Sequence, residues 1–400
     1  MSFLRDYRDF CSGLEAPPTF NVYCALYSIA ALTGRRVWIT VGDYFRIYPN
    51  LYVILVGPPG CGKNTTMEIA EELLHEYKLP MSAESVTREK LILDIQAQEQ
   101  ILEFLPPTDK YRIVSPYNIL ATELSEFLGA GGLGMISFLT DIYSRNLYEY
   151  RTKNKGSVFV RGPFLNLIAG TTPDWITTYL KDDIISGGFS RRAIFIYETG
   201  RIGRIAFPKV TPEMSASWQR VVARGHAIRK LAGQFKWHDT ATTFYKRWYE
   251  NLQIPTDPNL VGYFGTKHIQ TLKVAMLVAM SEGDDLVLHA EHIRAALDLL
   301  AIPEANLGRV FQGIGRNELN AASIQAMDML MKAPTMKLVI NGHEHEVQAM
   351  RMKQFKAFLW KFAKSLEIND IVQHLVDSDK AARCVSNINN TEYIYVKPRD

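Results

Sequence analysis

The chain reads as an α/β protein: a parallel sheet flanked by helices, then a helical region, then a small domain mixing helices and strands. Three observations predict this. Short apolar runs at 51–56, 117–121, 165–169 and 193–197 alternate with helical patterns, as expected of parallel strands buried on both faces. The first run leads straight into a glycine-rich loop, Gly57-Pro-Pro-Gly-Cys-Gly-Lys-Asn-Thr65, with a helical pattern behind it. Past a linker at 200–212 the apolar residues change to helical spacing, at Met214, Trp218, Val221, Val222, Ile228 and Leu231.

Taken in order, residues 1–45 form an N-terminal helical segment, apolar and small at 20–32, with a short strand at 36–40. The core, 46–205, holds the four runs with helices expected at 64–77, 87–104, 124–129 and 135–146. A helical lid, 206–315, continues with helices near 239–252, 266–282 and 290–301. The last domain, 316–400, opens on Asn341-Gly342 between β-type residues, a hairpin signal. Helices are expected there at 353–365, 370–376 and 379–386, before Tyr393-Ile-Tyr-Val396. Helices closing on a small β element resemble a winged helix.

Composition narrows the class. A chain of 400 residues, 47% hydrophobic, can bury a core in two or three domains. A net charge of +3 with 22% charged residues is ordinary, so only local clustering can argue for nucleic acid. Cys11, Cys24, Cys61 and Cys384 lie far apart with no CxxC pair, as in a reduced cytoplasmic protein without an evident zinc site. No apolar stretch approaches a membrane span, and the first residues carry charges where a signal peptide needs an apolar run. No membrane partner is expected. His343-Glu-His345 has no further ligands at workable spacing and reads as hairpin surface.

The glycine-rich loop carries the chemistry. Gly57, Gly60 and Gly62 allow a tight turn that brings bare N–H groups to an anion, and the following helix adds the positive end of its dipole. Lys63 would lie against the β- and γ-phosphates, with Pro58, Pro59 and Cys61 completing the cradle. This pattern predicts a nucleoside triphosphate site, with ATP and Mg²⁺ as cofactors. A hydroxyl residue normally follows the lysine and binds the metal; here Asn64 stands there and Thr65 comes one later, so both are candidate Mg²⁺ ligands.

The run 117–121 ends in Thr122-Glu123, where ATPases of the glutamate type carry Asp-Glu. Glu123 fits the base that polarises the attacking water; Thr122 replaces the acid that holds the metal shell. Either a different acid, such as Asp141 or Glu126, serves the metal, or ATP binds with slow or no hydrolysis. The run 165–169 leads to Thr171 and Thr172, whose tip is expected beside the phosphate-loop strand. Either hydroxyl could orient water or γ-phosphate, with Asn166 a third choice; a plain Thr-Thr-Pro turn is the simpler alternative. Arg191 and Arg192 precede the run 193–197. They are either a surface pair bridged to Asp182 or Asp183, or a cation for a neighbouring subunit's γ-phosphate.

This order of parts resembles the AAA+ P-loop ATPases. It is similar, over roughly 18–300, to the phage and prophage family of YfjI-like helicase proteins, related to MCM and viral superfamily 3 helicases. Its specific pieces are Pro49-Asn-Leu-Tyr-Val-Ile-Leu-Val-Gly-Pro-Pro-Gly, Leu165-Asn-Leu-Ile-Ala-Gly-Thr-Thr-Pro and Gly188-Phe-Ser-Arg-Arg. The resemblance implies an AAA+-like core, a homo-oligomer (a hexameric ring), ATP-driven movement on single-stranded or forked DNA, and work beside other replication proteins of a phage or mobile element. It implies a second sensor in the lid, for which Lys267, with Lys273 behind it, is the choice.

Leu147 to Arg161 reads as two β-rich arms around Asn154-Lys155-Gly156, with Arg151, Lys153, Lys155 and Arg161 on them. In the relatives just named such a hairpin grips the DNA backbone, a sequence-independent, salt-sensitive contact. A solvated basic hairpin is the alternative; Tyr148 and Tyr150 could stack on bases or pack on the core. The second functional expectation is a nucleotide-dependent DNA-binding or helicase-loading module with little turnover, supported by Asn64 and Thr122.

Overall fold

The computed structural model describes residues 2–102, 112–129, 132–152, 156–179, 188–256, 258–311, 323, 326–340, 343–360, 367–378, 380–385 and 391–397. The chain forms two compact units, Met1–Phe311 and Gln312–Asp400.

In the first unit, helices α1 (Phe3–Phe10) and α2 (Pro18–Thr33) lead to strands β1 (Val37–Val41), β2 (Phe45–Ile47) and β3 (Tyr52–Val56). There follow α3 (Lys63–Glu76), α4 (Arg88–Ala97), β4 (Gln100–Leu102), β5 (Arg112–Ala121), α5 (Leu124–Leu128) and α6 (Gly132–Ile142). Then come β6 (Leu147–Thr152), β7 (Gly156–Arg161), β8 (Pro163–Thr171), α7 (Pro173–Tyr179) and β9 (Ala193–Tyr197). The main sheet has the order β4-β5-β8-β3-β9. β5, β8, β3 and β9 are parallel, and β4 joins the edge antiparallel. β3 and β8 are buried at every residue, which is why their sequences are mainly apolar rather than alternating, with Asn166 and Thr171 the polar exceptions in β8. The four expected runs all form strands of this sheet, and β8 lies between β5 and β3, as expected.

Helix α2 is buried without interruption from Tyr23 to Thr33 and serves as a central helix rather than an amphipathic one. It shares a core with β3, α3 and the helix Pro258–Glu282, whose Leu272–Met280 stretch is likewise buried.

Four elements differ from the sequence reading. The helix expected at 87–104 stops at Ala97, and Gln100–Leu102 pairs with β5 instead. Within the stretch expected to be helical, β10 (Gly233–Trp237) and β11 (Val287–Leu288) form strands, and β10 pairs in parallel with β1. The N-terminal segment and the region beyond residue 206 thus share one sheet, β11-β10-β1-β2, inside one unit. In the second unit β12 (Thr335–Ile340), β13 (His343–Arg351), β14 (Ala381–Val385) and β15 (Glu392–Val396) form an antiparallel sheet in the order β12-β13-β15-β14. Ile340 faces His343, as the expected hairpin requires, while Asn341 and Gly342 lie outside the described residues. The helix expected at 379–386 is strand β14, because its backbone groups pair with those of β15.

Candidate functional site

β3 ends at Val56 and the chain turns through the glycine-rich loop into α3. Gly62 sits at φ 92°, in left-handed space, and a Cβ there would stand 2.7 Å from Ala16 Cβ. Only glycine lets the N-terminal segment close against the loop. Gly62 is also the N-cap of α3, and no side chain caps that helix, so its first-turn N–H groups face the loop cradle. Lys63 is buried at 7% exposure, and its Nζ donates to Gly57 O at 2.6 Å and to Pro58 O at 3.2 Å. A buried ammonium held by two loop carbonyls and, at 3.7 Å, the Cys61 sulfur, all uncharged, is arranged to receive an anion. Asn64 and Thr65 are both exposed on the first turn of α3.

The neighbouring strand ends bring the other groups. Gly170, near the end of β8, is where a Cβ would lie 2.6 Å from Thr122 O and 3.6 Å from Lys63 Cε. The end of β5 and the loop lysine therefore meet across a bare backbone. Thr171 is fully buried, its carbonyl accepts from Gly57 N at 3.2 Å, and its Oγ1 has no hydrogen-bond partner. An orphaned buried hydroxyl beside the loop fits a role toward a ligand. Glu123 is half-buried at the start of α5 and accepts from Ser125 Oγ at 3.4 Å.

Two residues at this end escaped the sequence reading. Glu84 Oε2 accepts from both Thr122 N, at 3.2 Å, and Thr122 Oγ1, at 3.1 Å. The segment before it runs along β5: Met81 bridges Asn118, and Ser82 N donates to Asn118 O. A carboxylate thus stands where the Thr122 side chain itself offers none. Asp141, considered for that role, is on a helix whose Leu139 O bonds Tyr52 Oη at the opposite end of β3. Glu126 is exposed on α5. The second residue is Arg201, whose Nε donates to Gly60 O at 2.5 Å while its guanidinium pairs with Glu15.

No protein-family model matches the chain, and no curated protein matches it.

Other candidates fall elsewhere. Asn166 is fully buried in mid-strand: its Oδ1 accepts from Leu51 N and its Nδ2 donates to Asn118 Oδ1, each at 3.0 Å. Both ends of its amide tie β3, β8 and β5 together in mid-sheet, away from the loop end of the strands. Thr172 Oγ1 accepts from Trp175 N and caps α7. Arg191 and Arg192 precede β9, at the end of the sheet opposite the loop, one five-residue strand away, about 16 Å. Lys267 lies at that far end too, since Thr266 Oγ1 donates to Arg191 O. Its Nζ is 2.6 Å from Glu304 Oε2, both side chains being largely buried, and Tyr263 Oη also donates to Glu304. The cation beside the loop is Arg201 rather than Lys267.

The expected basic hairpin forms: β6 and β7 pair antiparallel, Leu147 opposite Arg161 and Thr152 opposite Gly156. Lys153 and Lys155 lie outside the described residues. Arg151 pairs with Glu149 at 2.6 Å and Arg161 with Glu99 at 3.2 Å, so both are partly neutralised within the fold. Tyr148 meets Phe138 edge-on at 5.3 Å, and Tyr150 Oη donates to Glu89. Both rings anchor the hairpin to the body of the unit.

Among the described residues no group of three or more His, Cys, Asp or Glu is placed to hold a metal ion. Mg²⁺ needs no such cage: it takes one or two carboxylates with substrate phosphates and water. Glu84 and Glu123, with Asn64 and Thr65 exposed on α3, fit that donor set. Among the described residues no helix is long and apolar enough to cross a membrane.

Proposed function

We propose that the chain binds and hydrolyses ATP as an oligomer acting on DNA. One observation carries the nucleotide reading. The parallel strands β5, β8 and β3 bring Thr122 with Glu84 and Glu123, Gly170 with Thr171, and the Lys63 loop to a single end of the sheet. Ligands of open α/β sheets bind outside the carboxyl ends of the strands.

Bound there, MgATP supplies the scissile phosphoryl group and a cation that offsets its charge. Lys63 and the loop N–H groups hold phosphate oxygens. Glu84, fixed by Thr122, would help hold the metal, and Glu123 would accept a proton from the attacking water. Thr171 orients that water, and Arg201 adds positive charge at Gly60. Arg191 stands a strand's length from its own loop, so any contact it makes with a γ-phosphate belongs to another copy.

That geometry, with the resemblance to AAA+ helicase proteins, supports a ring, hexameric by analogy, in phage or mobile-element replication. Contact with single-stranded or forked DNA falls to the 147–161 hairpin. Because Arg151 and Arg161 are paired internally, Lys153 and Lys155 are its leading contacts. The second unit, with its antiparallel sheet, is read as winged-helix-like.

A second reading keeps nucleotide binding without turnover, as a DNA-binding or helicase-loading module. The exposed Asn64 and the missing Thr122 carboxylate favour it; the Glu84 carboxylate favours hydrolysis.

ATP turnover measured with and without single-stranded DNA separates the two. The expected result is DNA-stimulated turnover that is lost in Lys63→Ala, low in Arg191→Ala and in Glu123→Gln alone, and partly regained when those last two proteins are mixed. Binding without turnover selects the second reading, and no ATP binding removes both.

A further inference from the structure

A second cationic site lies at the far end of the sheet, away from the phosphate loop. Here β2 and the connection to β3, the start of β8, the residues before β9 and the helix Pro258–Glu282 enclose a cleft of about 560 Å³, within the range of organic-ligand pockets. None of its lining residues is acidic, while Arg35, Arg46, Arg191, Arg192, Lys273 and His268 all line it.

Among the described residues, three of these cations hydrogen-bond to neutral partners. Lys273 is 4% exposed; its Nζ donates to Asn50 O at 3.0 Å and Oδ1 at 2.6 Å, and lies 4.0 Å from the Tyr143 ring centroid. Arg35 is 5% exposed and donates to Arg145 O, Pro163 O and Asn146 Oδ1. Arg192 donates to Gly188 O at 2.8 Å. Burial, then Arg192 and Arg35, push the Lys273 ammonium well below its ordinary value. Arg35 also sits at φ 67°, a left-handed backbone that costs a non-glycine residue and is retained where a side chain must be aimed. Among the described residues that line the cleft no carboxylate offsets this charge, and dipoles alone compensate buried cations poorly. The cleft wall beside them is apolar, formed by Val41, Phe45, Ile47 and Phe164.

We propose that this cleft binds a phosphate ester with an apolar or aromatic body, independently of the phosphate loop. Arg35, Arg192 and Lys273 supply the field for the phosphate, and the β2 side holds the body.

The test uses full-length protein carrying Lys63→Ala, which silences the loop, titrated by calorimetry at fixed ionic strength with phenyl phosphate, inorganic phosphate and benzyl alcohol. One phenyl phosphate should bind per chain, at least tenfold more tightly than inorganic phosphate, with no uptake of benzyl alcohol. Adding Lys273→Met or Arg192→Gln should weaken it at least tenfold. Absence of phenyl phosphate binding, or binding indifferent to both substitutions, overturns the proposal; equal affinity for the two phosphates overturns the apolar body. Arg192 is partly exposed, so Arg192→Gln decides alone if Lys273→Met does not fold. Lys63 is absent throughout, so failure here says nothing about the ATPase reading, and failure of that reading leaves this result standing.

Discussion

Replacing Glu84 with glutamine separates a structural contact from a metal-directed one. The carboxylate accepts two hydrogen bonds on one oxygen, from Thr122 N at 3.2 Å and Oγ1 at 3.1 Å. A glutamine carbonyl can accept both, so only the charge assistance is lost. Glu84 is exposed, where that assistance is worth least, and the expected stability loss is below about 1 kcal/mol. The metal has no such substitute. Loss of a charged group beside a metal shell typically costs about 10–100-fold in metal affinity, or roughly 1.4–2.8 kcal/mol. The assay titrates Mg²⁺ into protein with a fluorescent ATP analogue, after EDTA treatment, alongside urea unfolding. Metal-free analogue binding should persist, the Mg²⁺ midpoint should rise about 10–100-fold, and the urea midpoint should barely move. An unchanged Mg²⁺ midpoint would refute the reasoning, as would a large loss of stability, which would make Glu84 a scaffold residue.

Two further outcomes rest on packing and charge. Gly170→Ala places a Cβ 2.6 Å from the Thr122 carbonyl, where backbone cannot yield cheaply; it should destabilise by about 1–3 kcal/mol, and a parental urea midpoint would contradict the packing of β8 against β5. Lys267→Met strands the buried Glu304 carboxylate and should cost about 3–5 kcal/mol, while Lys267→Met with Glu304→Leu should recover most of it. Burial already holds the Glu304 carboxyl above its ordinary value, against the opposing pull of Lys267. Between the ordinary and the raised value the folded state binds the extra proton, so this group's contribution falls as pH rises through that window. Removing Lys267 should raise the carboxyl further and steepen that fall; unfolding followed against pH gives the slope, and an unaltered slope excludes the pairing.

The phosphate loop was legible because its signal is local. Strand, glycines, lysine and helix are contiguous, and Gly62 and Lys63 serve the loop wherever the rest of the chain goes. The buried runs that became β3, β5, β8 and β9 were legible for a related reason: a strand covered on both faces is apolar at most positions, and the exceptions, such as Asn118 and Asn166, are hydrogen-bonded inside the sheet. The short strands β10 and β14 were not, since five residues with mixed exposure become a strand only when a partner edge is present.

The sequence by itself determined an α/β core with a phosphate-type loop, and the residues that chain connectivity forces to the end of each strand, Glu123 and Thr171 among them. Tertiary structure alone decided that Glu84 reaches Thr122, that Arg201 rather than Lys267 stands by the loop, that Asn166 is spent on the sheet, and that Arg35, Arg192 and Lys273 share one cleft. The physical reason is range. Backbone turns and burial patterns are written over a few neighbouring residues, whereas the partner of a charge is fixed only when distant segments fold to within a few ångströms of one another.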